Sequence, residues 1–425
     1  MSRLHERSSP AERRRAFAIL FVSLVCMGAG QSVIYTVLPP VARQLQIGPL
    51  QVTSIFAVSA AIWIVSSAYW GRLSDRTGRK PVMLLGLMAF GISFLAFATA
   101  MLAGLRHWLP TLLVFPLLIA SRCIYGGFGS GTSAAAQAYV ADRTSPDERL
   151  GGVAIISMAF ALGTTFGPVI GSAMALLGLL APFYFVSFLA FMSALAIYFL
   201  LPERSPPKTR ARHQTALKWY QGRILPFVGF GVVLSMTASI PIQTVGFFFM
   251  DVLRYDPHAT AQFTGLGLML SAMAALFVQF VVVQRSGLSV RVLTAAGLTL
   301  ATVSNVLFLV ASHFTVVMLA LVLSGLGFGL ARPGFTTGAS LSVGPEEQGA
   351  VAGLLNAAGA AGFVFGPAIG GLYEFSPYLP YALGAAMMLA LLVAQHLSPV
   401  LRQAGYRPAS VEMLEETAET PLSSV

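Results

Sequence analysis

The sequence predicts an all-α membrane protein in which twelve transmembrane helices form two pseudo-symmetric six-helix bundles. Three observations lead to this fold class: long apolar stretches, basic residues confined to alternate connections, and an internal repeat. Hydrophobic residues make up 56% of the 425 residues and charged residues only 10%, whereas a soluble domain has about 25% charged residues. This composition excludes an ordinary soluble protein.

Twelve apolar stretches long enough to cross a bilayer recur along the chain, separated by short polar breaks. They are continuous and do not alternate, so they predict helices and not barrel strands. The first stretch is too long for a signal peptide and lacks a small-residue cleavage site, so we expect it to remain a helix. In order, the predicted spans are 17–40, 50–70, 82–103, 111–141, 151–177, 182–201, 224–250, 261–284, 292–311, 315–342, 349–372 and 380–401.

Basic residues lie almost entirely on one side of this topology. With the N-terminus in the cytoplasm, the cytoplasmic segments hold 21 Lys and Arg residues, and the opposite segments hold only Arg43, Arg106 and Arg254. This bias follows the positive-inside rule, so both termini are expected in the cytoplasm. The net charge of +10 is then a topology signal, and no nucleic-acid partner is needed to explain it.

The longest hydrophilic interruption divides the spans into six and six. Residues 202–223 predict a basic cytoplasmic linker between a first bundle at 1–201 and a second at 224–401. Residues 402–425 predict a disordered cytoplasmic tail, too short to be a sensing domain.

The two halves share a repeat without a gap. PDERLGGVAIISMAFALGTTFGPVIGS, from Pro146, matches PEEQGAVAGLLNAAGAAGFVFGPAIGG, from Pro345, at an offset of 199. The matched fifth and eleventh spans run in the same direction, so the halves are parallel repeats. Glycines four apart allow close helix packing and proline bends a helix, so we expect these spans at a moving interface between the halves. The matched residues are Gly163, Gly167, Pro168 and Gly171, and Gly362, Gly366, Pro367 and Gly370.

Arg122 and Arg332 are the two charges well inside the predicted spans. An arginine at the bilayer centre costs roughly 2.5–3.5 kcal/mol on insertion scales, so both are expected to face a wet cavity or a partner. Arg332 precedes Pro333, so snorkelling or a bond to freed carbonyls remains an alternative for it.

Three motifs together resemble the major facilitator superfamily. They are GRLSDRTGRKP at residues 71–81, Arg122 within SRCIYGGFGSG, and GTTFGPVIG in the fifth span. The chain is most similar to the twelve-helix drug:proton antiporters and tetracycline-type exporters, over essentially its whole length. The resemblance implies a central cavity between two six-helix bundles that opens alternately to each side.

The resemblance also implies a cytoplasmic gate in the predicted loop at 71–81. Asp75 is expected to contact the N-terminal end of span eleven, where a helix start carries a partial positive charge. Arg79 is expected to pair with Asp142 at the cytoplasmic end of span four. A loop whose bases only set the topology is the alternative. The gating set is Gly71, Asp75, Arg76, Gly78, Arg79, Lys80 and Asp142.

For Arg122 the resemblance implies a part in proton coupling. Many such antiporters place an acidic residue in the first span or elsewhere in the cavity, but the first span here has none. Asp142 is therefore the first titratable candidate for coupling and Glu374 the second.

Uncharged polar and aromatic residues suggest a cavity for an amphipathic organic molecule, bound by stacking and a few hydrogen bonds. The two arginines and the absence of carboxylates argue against a purely cationic substrate. The candidate cavity residues are Gln31, Tyr35, Trp63, Gln137, Met236, Gln243, Phe247, Arg332, Phe335 and Asn356.

The leading hypothesis is a monomeric, cofactor-free exporter of small amphipathic compounds in a bacterial inner membrane, driven by protons. The alternative is a transporter of an organic anion or metabolite, in either direction, that uses the cavity arginines. We expect no enzyme, since the chain has no HExxH or GxSxG motif, no phosphate loop and no clustered metal ligands.

Overall fold

The computed structural model describes residues 10–144, 146–202, 224–283, 285, 288–343 and 347–398. Within these residues it contains twelve helices long and apolar enough to cross a membrane, and no strand. The predicted fold class is confirmed, while the linker beyond Pro202 and the tail at 402–425 lie outside the described residues. The helices are α1 Pro10–Gln44, α2 Pro49–Thr77, α3 Arg79–Leu105, α4 Thr111–Ala141, α5 Pro146–Ala175, α6 Ala181–Leu200, α7 Leu225–Asp251, α8 Pro257–Val283, α9 Val290–Leu309, α10 Phe314–Leu341, α11 Gln348–Val364 continued by Gly366–Phe375, and α12 Leu379–Leu397.

Helix ends follow local sequence signals. Proline occupies the first turn of α2, α6, α7, α8 and α12, where its missing N–H breaks no helical hydrogen bond. Asp256 caps α8 by accepting backbone hydrogen bonds from Ala259 at 3.1 Å and His258 at 2.9 Å. These bonds favour the carboxylate and lower the pKa of Asp256.

Residues 71–81 form a helix junction, and the predicted loop is wrong. α2 continues past the end of its apolar span at Ser67 to Thr77, and α3 begins at Arg79. Gly78 alone makes the turn, with a φ of +102° that favours glycine. Polar composition indicated a loop here, but the leucine and arginines of the stretch are good helix formers and extend the helix beyond the apolar span.

Helix packing repeats between the halves. In the first half α1 packs along α5 and α3 along α6, and in the second α7 packs along α11 and α9 along α12. Across the halves, α5 packs against α8 and α11 against α2. Shifting each helix number by six converts every pair into its counterpart, as expected of parallel repeats.

We call the two ends of the bundle the linker side and the far side. On the linker side α6 ends at Leu200 and α7 begins at Leu225. The junction of α2 with α3 lies there too, since the Lys80 Nζ is 5.8 Å from the ring centroid of Tyr198. α1, α7 and α11 end on the far side.

Candidate functional site

An ion pair joins the two halves on the far side. The Arg43 Nη2, at the end of α1, donates to the Asp251 Oδ2, at the end of α7, over 2.6 Å. The Tyr373 hydroxyl of α11 donates to the same oxygen over 3.2 Å, and the Arg43 guanidinium lies 5.1 Å from the ring centroid of Phe247. One carboxylate therefore holds the ends of three helices together.

A second contact between the halves lies beside this ion pair. The Leu50 N–H, in the first turn of α2, donates to the Glu374 Oε1 of α11 over 3.1 Å. A carboxylate at this place satisfies an N–H that has no partner within the helix and meets the positive end of the helix dipole. A cleft of ≈ 280 Å³ adjoins both carboxylates, so solvent reaches them. Together we call Arg43, Asp251, Tyr373 and Glu374 the far-side latch.

The repeated glycines of the first half pack mainly within that half. A side chain at Gly163 or Gly167 would collide with α1, at the backbone of Val25 and Ala29. Gly171 also faces α1. Pro168 provides the contact between the halves, because its carbonyl lies against Gly265 of α8. The glycines of α5 therefore pack this helix against α1, while α5 as a whole also contacts α8 of the second half.

The second half uses the same motif differently. Gly362 packs against α7 of its own half, whereas Gly366 and Gly370 pack against Thr53 and its neighbours on α2. The helix breaks at Phe365, just before Pro367, whereas α5 runs without interruption through Pro168. Glycine at these places allows close approach of α2 and α11 across the interface.

On the linker side, Arg79 connects helix ends within the first half. Its Nε donates to the Asp142 Oδ2 over 3.1 Å, and its Nη1 donates to the Ser74 Oγ over 2.8 Å and to the Asp75 carboxylate. Asp75 therefore pairs with the start of α3 in this conformation. Its expected contact with the start of α11 stays a prediction, since the side chains at 348–350 lie outside the described residues.

The remaining members of the gating set lie at the same junction. Arg76 is exposed, and the Lys80 ammonium lies over Tyr198. Space around Gly71 is open, so no close packing requires a glycine there.

Arg122 is buried in α4 with few partners. Its side chain is 2% exposed, and its Nη2 donates to the Gln31 Oε1 over a long 3.3 Å. The guanidinium lies over Tyr125, 4.6 Å from the ring centroid, and 5.8 Å from that of Phe94. Among the described residues, nothing accepts a hydrogen bond from the Nε or the Nη1.

A π-helical segment, Tyr125–Gly129, begins three residues after Arg122. Side chains of α2 bond the carbonyls of this region: Ser66 donates to Gly126 over 2.8 Å, and the Trp70 Nε1 donates to Gly127. π-helical turns occur frequently at functional sites. The glycine-rich YGGFG sequence was a usable signal for this irregularity, but the sequence analysis took it as regular helix.

Aromatic rings close the space between the halves beside Arg122. Tyr35 of α1 stacks on Phe363 of α11, with ring centroids 6.2 Å apart. Gln31 lies one turn closer to the linker side, on the same face of α1, and its Nε2 donates to the Tyr35 hydroxyl over 3.4 Å. We call Tyr35 and Phe363 the cleft floor.

Arg332, on α10 of the second half, lies at about the depth of Gln31. Its Nη2 lies against Gly359, one turn closer to the linker side than Phe363 on the same face of α11. Arg332 is exposed, although it lies on the linker side of the Tyr35–Phe363 stack and well inside α10.

Several candidate cavity residues are buried elsewhere. Phe247 belongs to the far side, beneath Arg43. Gln243 is 1% exposed beside Gly366, and Phe335 stacks on another ring of its own half. These three predictions of cavity lining are wrong for this conformation, because the closed far side and the packed second half cover them. Trp63, Gln137 and Met236 are partly exposed, and the side chain of Asn356 lies outside the described residues.

The far-side latch was not predicted from the sequence. Arg43 was one of only three bases on its side, and Asp251 lies at the end of a span. Both were visible signals, but their pairing spans 208 residues of sequence.

Comparisons with known proteins cover nearly the whole chain. A family model described as Major Facilitator Superfamily matches residues 20–367. Multidrug resistance protein 2 of Bacillus subtilis (strain 168) is 26% identical over 396 residues, 90% of this chain and 95% of that protein. Tetracycline resistance protein, class C, of Escherichia coli is 26% identical over 416 residues, 93% and 98% of the two chains.

Solved structures share the fold. A bacterial homologue of the human lysosomal transporter Spinster, inward-facing and unoccupied, superposes with a TM-score of 0.69 at 16% identity, covering 94% of this chain and 96% of that one. The human organic anion transporter MFSD10 superposes with a TM-score of 0.61 at 20% identity, covering 91% and 99%.

Proposed function

The chain belongs to the major facilitator superfamily, and on that premise we propose that it exports small amphipathic organic compounds by alternating access, driven by protons. It is a multi-pass membrane transporter of small molecules and not an enzyme. We place it in a bacterial inner membrane as a monomer, with both termini in the cytoplasm. Its relatives named for multidrug and tetracycline resistance support export as the direction.

One observation carries this proposal: the halves meet on the far side, while Arg332, on the linker side of the Tyr35–Phe363 stack, is exposed. The Arg43–Asp251 ion pair and the Tyr35–Phe363 stack close one end of the cleft. If the linker side is cytoplasmic, as the basic residues predict, the cleft is open towards the cytoplasm. An exporter loads its substrate in this conformation.

Alternating access then requires two gates. The far-side latch has to break before substrate leaves, and the helix junction at Gly78 has to meet the second half on the linker side. Arg79 holds Asp75 and Asp142 together in the open state. On closure, Asp75 is free to bond the start of α11 if it leaves Arg79, which is the contact that the family resemblance implies.

Protons act, in this proposal, through carboxylates outside the apolar spans. Asp142 is the first candidate, since its protonation removes an acceptor from Arg79. No acidic partner of Arg122 is present among the described residues. A role for Arg122 in coupling therefore requires another negative group.

Cells that express the protein test the proposal. We expect them to tolerate and accumulate less of some compounds in a panel of amphipathic drugs than cells carrying an empty vector. A protonophore should abolish the difference. Equal accumulation across the panel in both strains, with the protein present in the membrane, would contradict export.

A further inference from the structure

The guanidinium of Arg122 is buried and lacks a counter-charge. Arginine stays protonated in proteins, so burial does not neutralise it. A buried charge is costly unless it is paired and hydrogen-bonded. Gln31 provides one long bond and Tyr125 an aromatic face, but two of the N–H-bearing nitrogens have no acceptor among the described residues. A negatively charged group at this place would pair with the guanidinium, and the described residues do not provide one.

The position of Gln31 gives the route to that site. Tyr35 touches the second half through Phe363, and Gln31 lies on the same face of α1 one turn nearer the linker side. Gln31 is partly exposed and lies directly on Arg122. Gln31 therefore lies between Arg122 and the space at the Tyr35–Phe363 stack.

A second positive charge faces the same space from the other half. Arg332 lies against Gly359 at the depth of Gln31, and the structure describes no ion pair for its guanidinium. Tyr35 and Phe363 lie one helical turn, roughly 6 Å, closer to the far side than Gln31 and Gly359, and they present aromatic surfaces. Two arginines on opposite walls above an aromatic floor match a molecule with an anionic group and an apolar ring system.

We propose that Arg122 and Arg332 bind the anionic group of an amphipathic organic acid, which is the class of molecule transported. This inference rests on the proposed transport function. The carboxylate or other acidic group of the substrate displaces Gln31 from Arg122, and its apolar body packs on the cleft floor. Because the cleft brings together charges from both halves, a bound anion reduces the repulsion between the two walls and favours their approach on the linker side.

Binding to the purified full-length protein tests the site directly. The probes are 2-naphthoate, its neutral primary amide 2-naphthamide, and chloride, each titrated by calorimetry in a buffer free of other small carboxylates and halides. We expect the wild type to bind 2-naphthoate about tenfold or more tightly than the amide, as one or two charge-assisted hydrogen bonds would give. Equal affinities for acid and amide would overturn the proposal.

Variants assign the effect to the two arginines. In Arg122→Met and in Arg332→Met, affinity for 2-naphthoate should fall to that for the amide, while affinity for the amide changes less than twofold. Arg143→Gln is the matched control, since Arg143 also lies over a tyrosine, Tyr139, but beyond the end of α4. Unchanged binding of 2-naphthoate in Arg122→Met would overturn the assignment.

The melting temperature separates a binding role of Arg122 from a structural one. If Arg122 binds the anion, Arg122→Met removes an uncompensated charge, so the melting temperature of the ligand-free protein should stay unchanged or rise, and 2-naphthoate should no longer raise it. If Arg122→Met melts earlier and loses the amide as well, Arg122 supports the fold and the proposal fails. Arg122→Lys keeps a charge and should retain part of the preference for the acid over the amide.

The outcomes also separate this inference from the proposed function. If chloride binds while 2-naphthoate gives no heat, the site takes inorganic anions only and the substrate assignment is overturned. Export of neutral compounds without binding of the acid would refute the site and leave the exporter. Tight binding without any transport would support the site and refute the exporter.

Discussion

Replacement of Asp251 by asparagine tests whether the far-side latch stabilises the closed far side. The Asp251 Oδ2 accepts hydrogen bonds from Arg43 over 2.6 Å and from Tyr373 over 3.2 Å. Asparagine keeps the size of the side chain and removes its charge. We therefore expect Asp251→Asn to weaken the contact between the halves while leaving the packing of each half intact.

The magnitude follows from how exposed the pair is. Exposed ion pairs contribute ~0–1 kcal/mol, and hydrogen bonds to buried charged groups ~1.5–3 kcal/mol. The side chains of Arg43 and Asp251 are 39% and 29% exposed, so water screens them partly and we take about 1–2 kcal/mol. This corresponds to a shift of about 5–30-fold in the ratio of far-side-open to far-side-closed protein.

Distances between spin labels measure that ratio. The free cysteines Cys26 and Cys123 are first replaced by serine. Labels at Leu112 and Val310, which are 83% and 67% exposed, report the far side from opposite halves. Labels at Phe199 and Leu397, 69% and 76% exposed, report the linker side in the same way. Asp251→Asn should lengthen the first distance and shorten the second.

The matched control is Asp256→Asn. Asp256 also lies on the far side, but it caps α8 within the second half and joins no helix of the first. If Asp251→Asn leaves both distance distributions as in the wild type, or if Asp256→Asn shifts them equally, the latch does not hold the halves together. Arg43→Gln combined with Asp251→Asn should shift them no further than either change alone.

Three further predictions concern helix packing and helix ends. Gly163→Ala should destabilise the purified protein in thermal unfolding by about 1–3 kcal/mol through collision with α1, whereas Gly151→Ala, which meets open space on the same helix, should be neutral or stabilising. Arg79→Gln should raise hydrogen exchange at the ends of α2 and α4, because both carboxylates lose their partner; unchanged exchange would refute this. The lowered pKa of Asp256 means that its capping contribution is present at neutral pH and disappears as the pH falls through that pKa, so exchange in the first turn of α8 should rise in acid for the wild type and not for Asp256→Asn.

Local patterns were sufficient to predict the membrane fold. Twelve apolar stretches give twelve helices because each span is defined by its own length and hydropathy. The repeat at Pro146 and Pro345 predicted matched packing for the same reason, since a duplicated sequence places equivalent residues on equivalent helix faces. The contacts of α5 with α8 and of α11 with α2 follow that symmetry.

Features that depend on distant residues or on the conformational state were not predictable. The partner of Arg43 lies 208 residues away, and no periodicity indicates it. Phe247 resembles a cavity residue in sequence, but it is buried once Arg43 lies over its ring. The partner expected for Asp75 belongs to a second conformational state, whereas the structure describes one state. The helical conformation of residues 71–77 was also not predicted, because a high content of charged residues indicates contact with solvent and does not indicate the backbone conformation.

Transport in inverted membrane vesicles tests the central claim most directly. In such vesicles the cytoplasmic face points outward, and ATP-driven proton pumping acidifies the interior. We expect 2-naphthoate to accumulate inside vesicles containing the wild type, a protonophore to abolish the accumulation, and Arg122→Met to reduce it more than Arg143→Gln. No accumulation of 2-naphthoate or of any compound in the drug panel under the imposed gradient, with the protein present in the vesicles, would contradict proton-driven export.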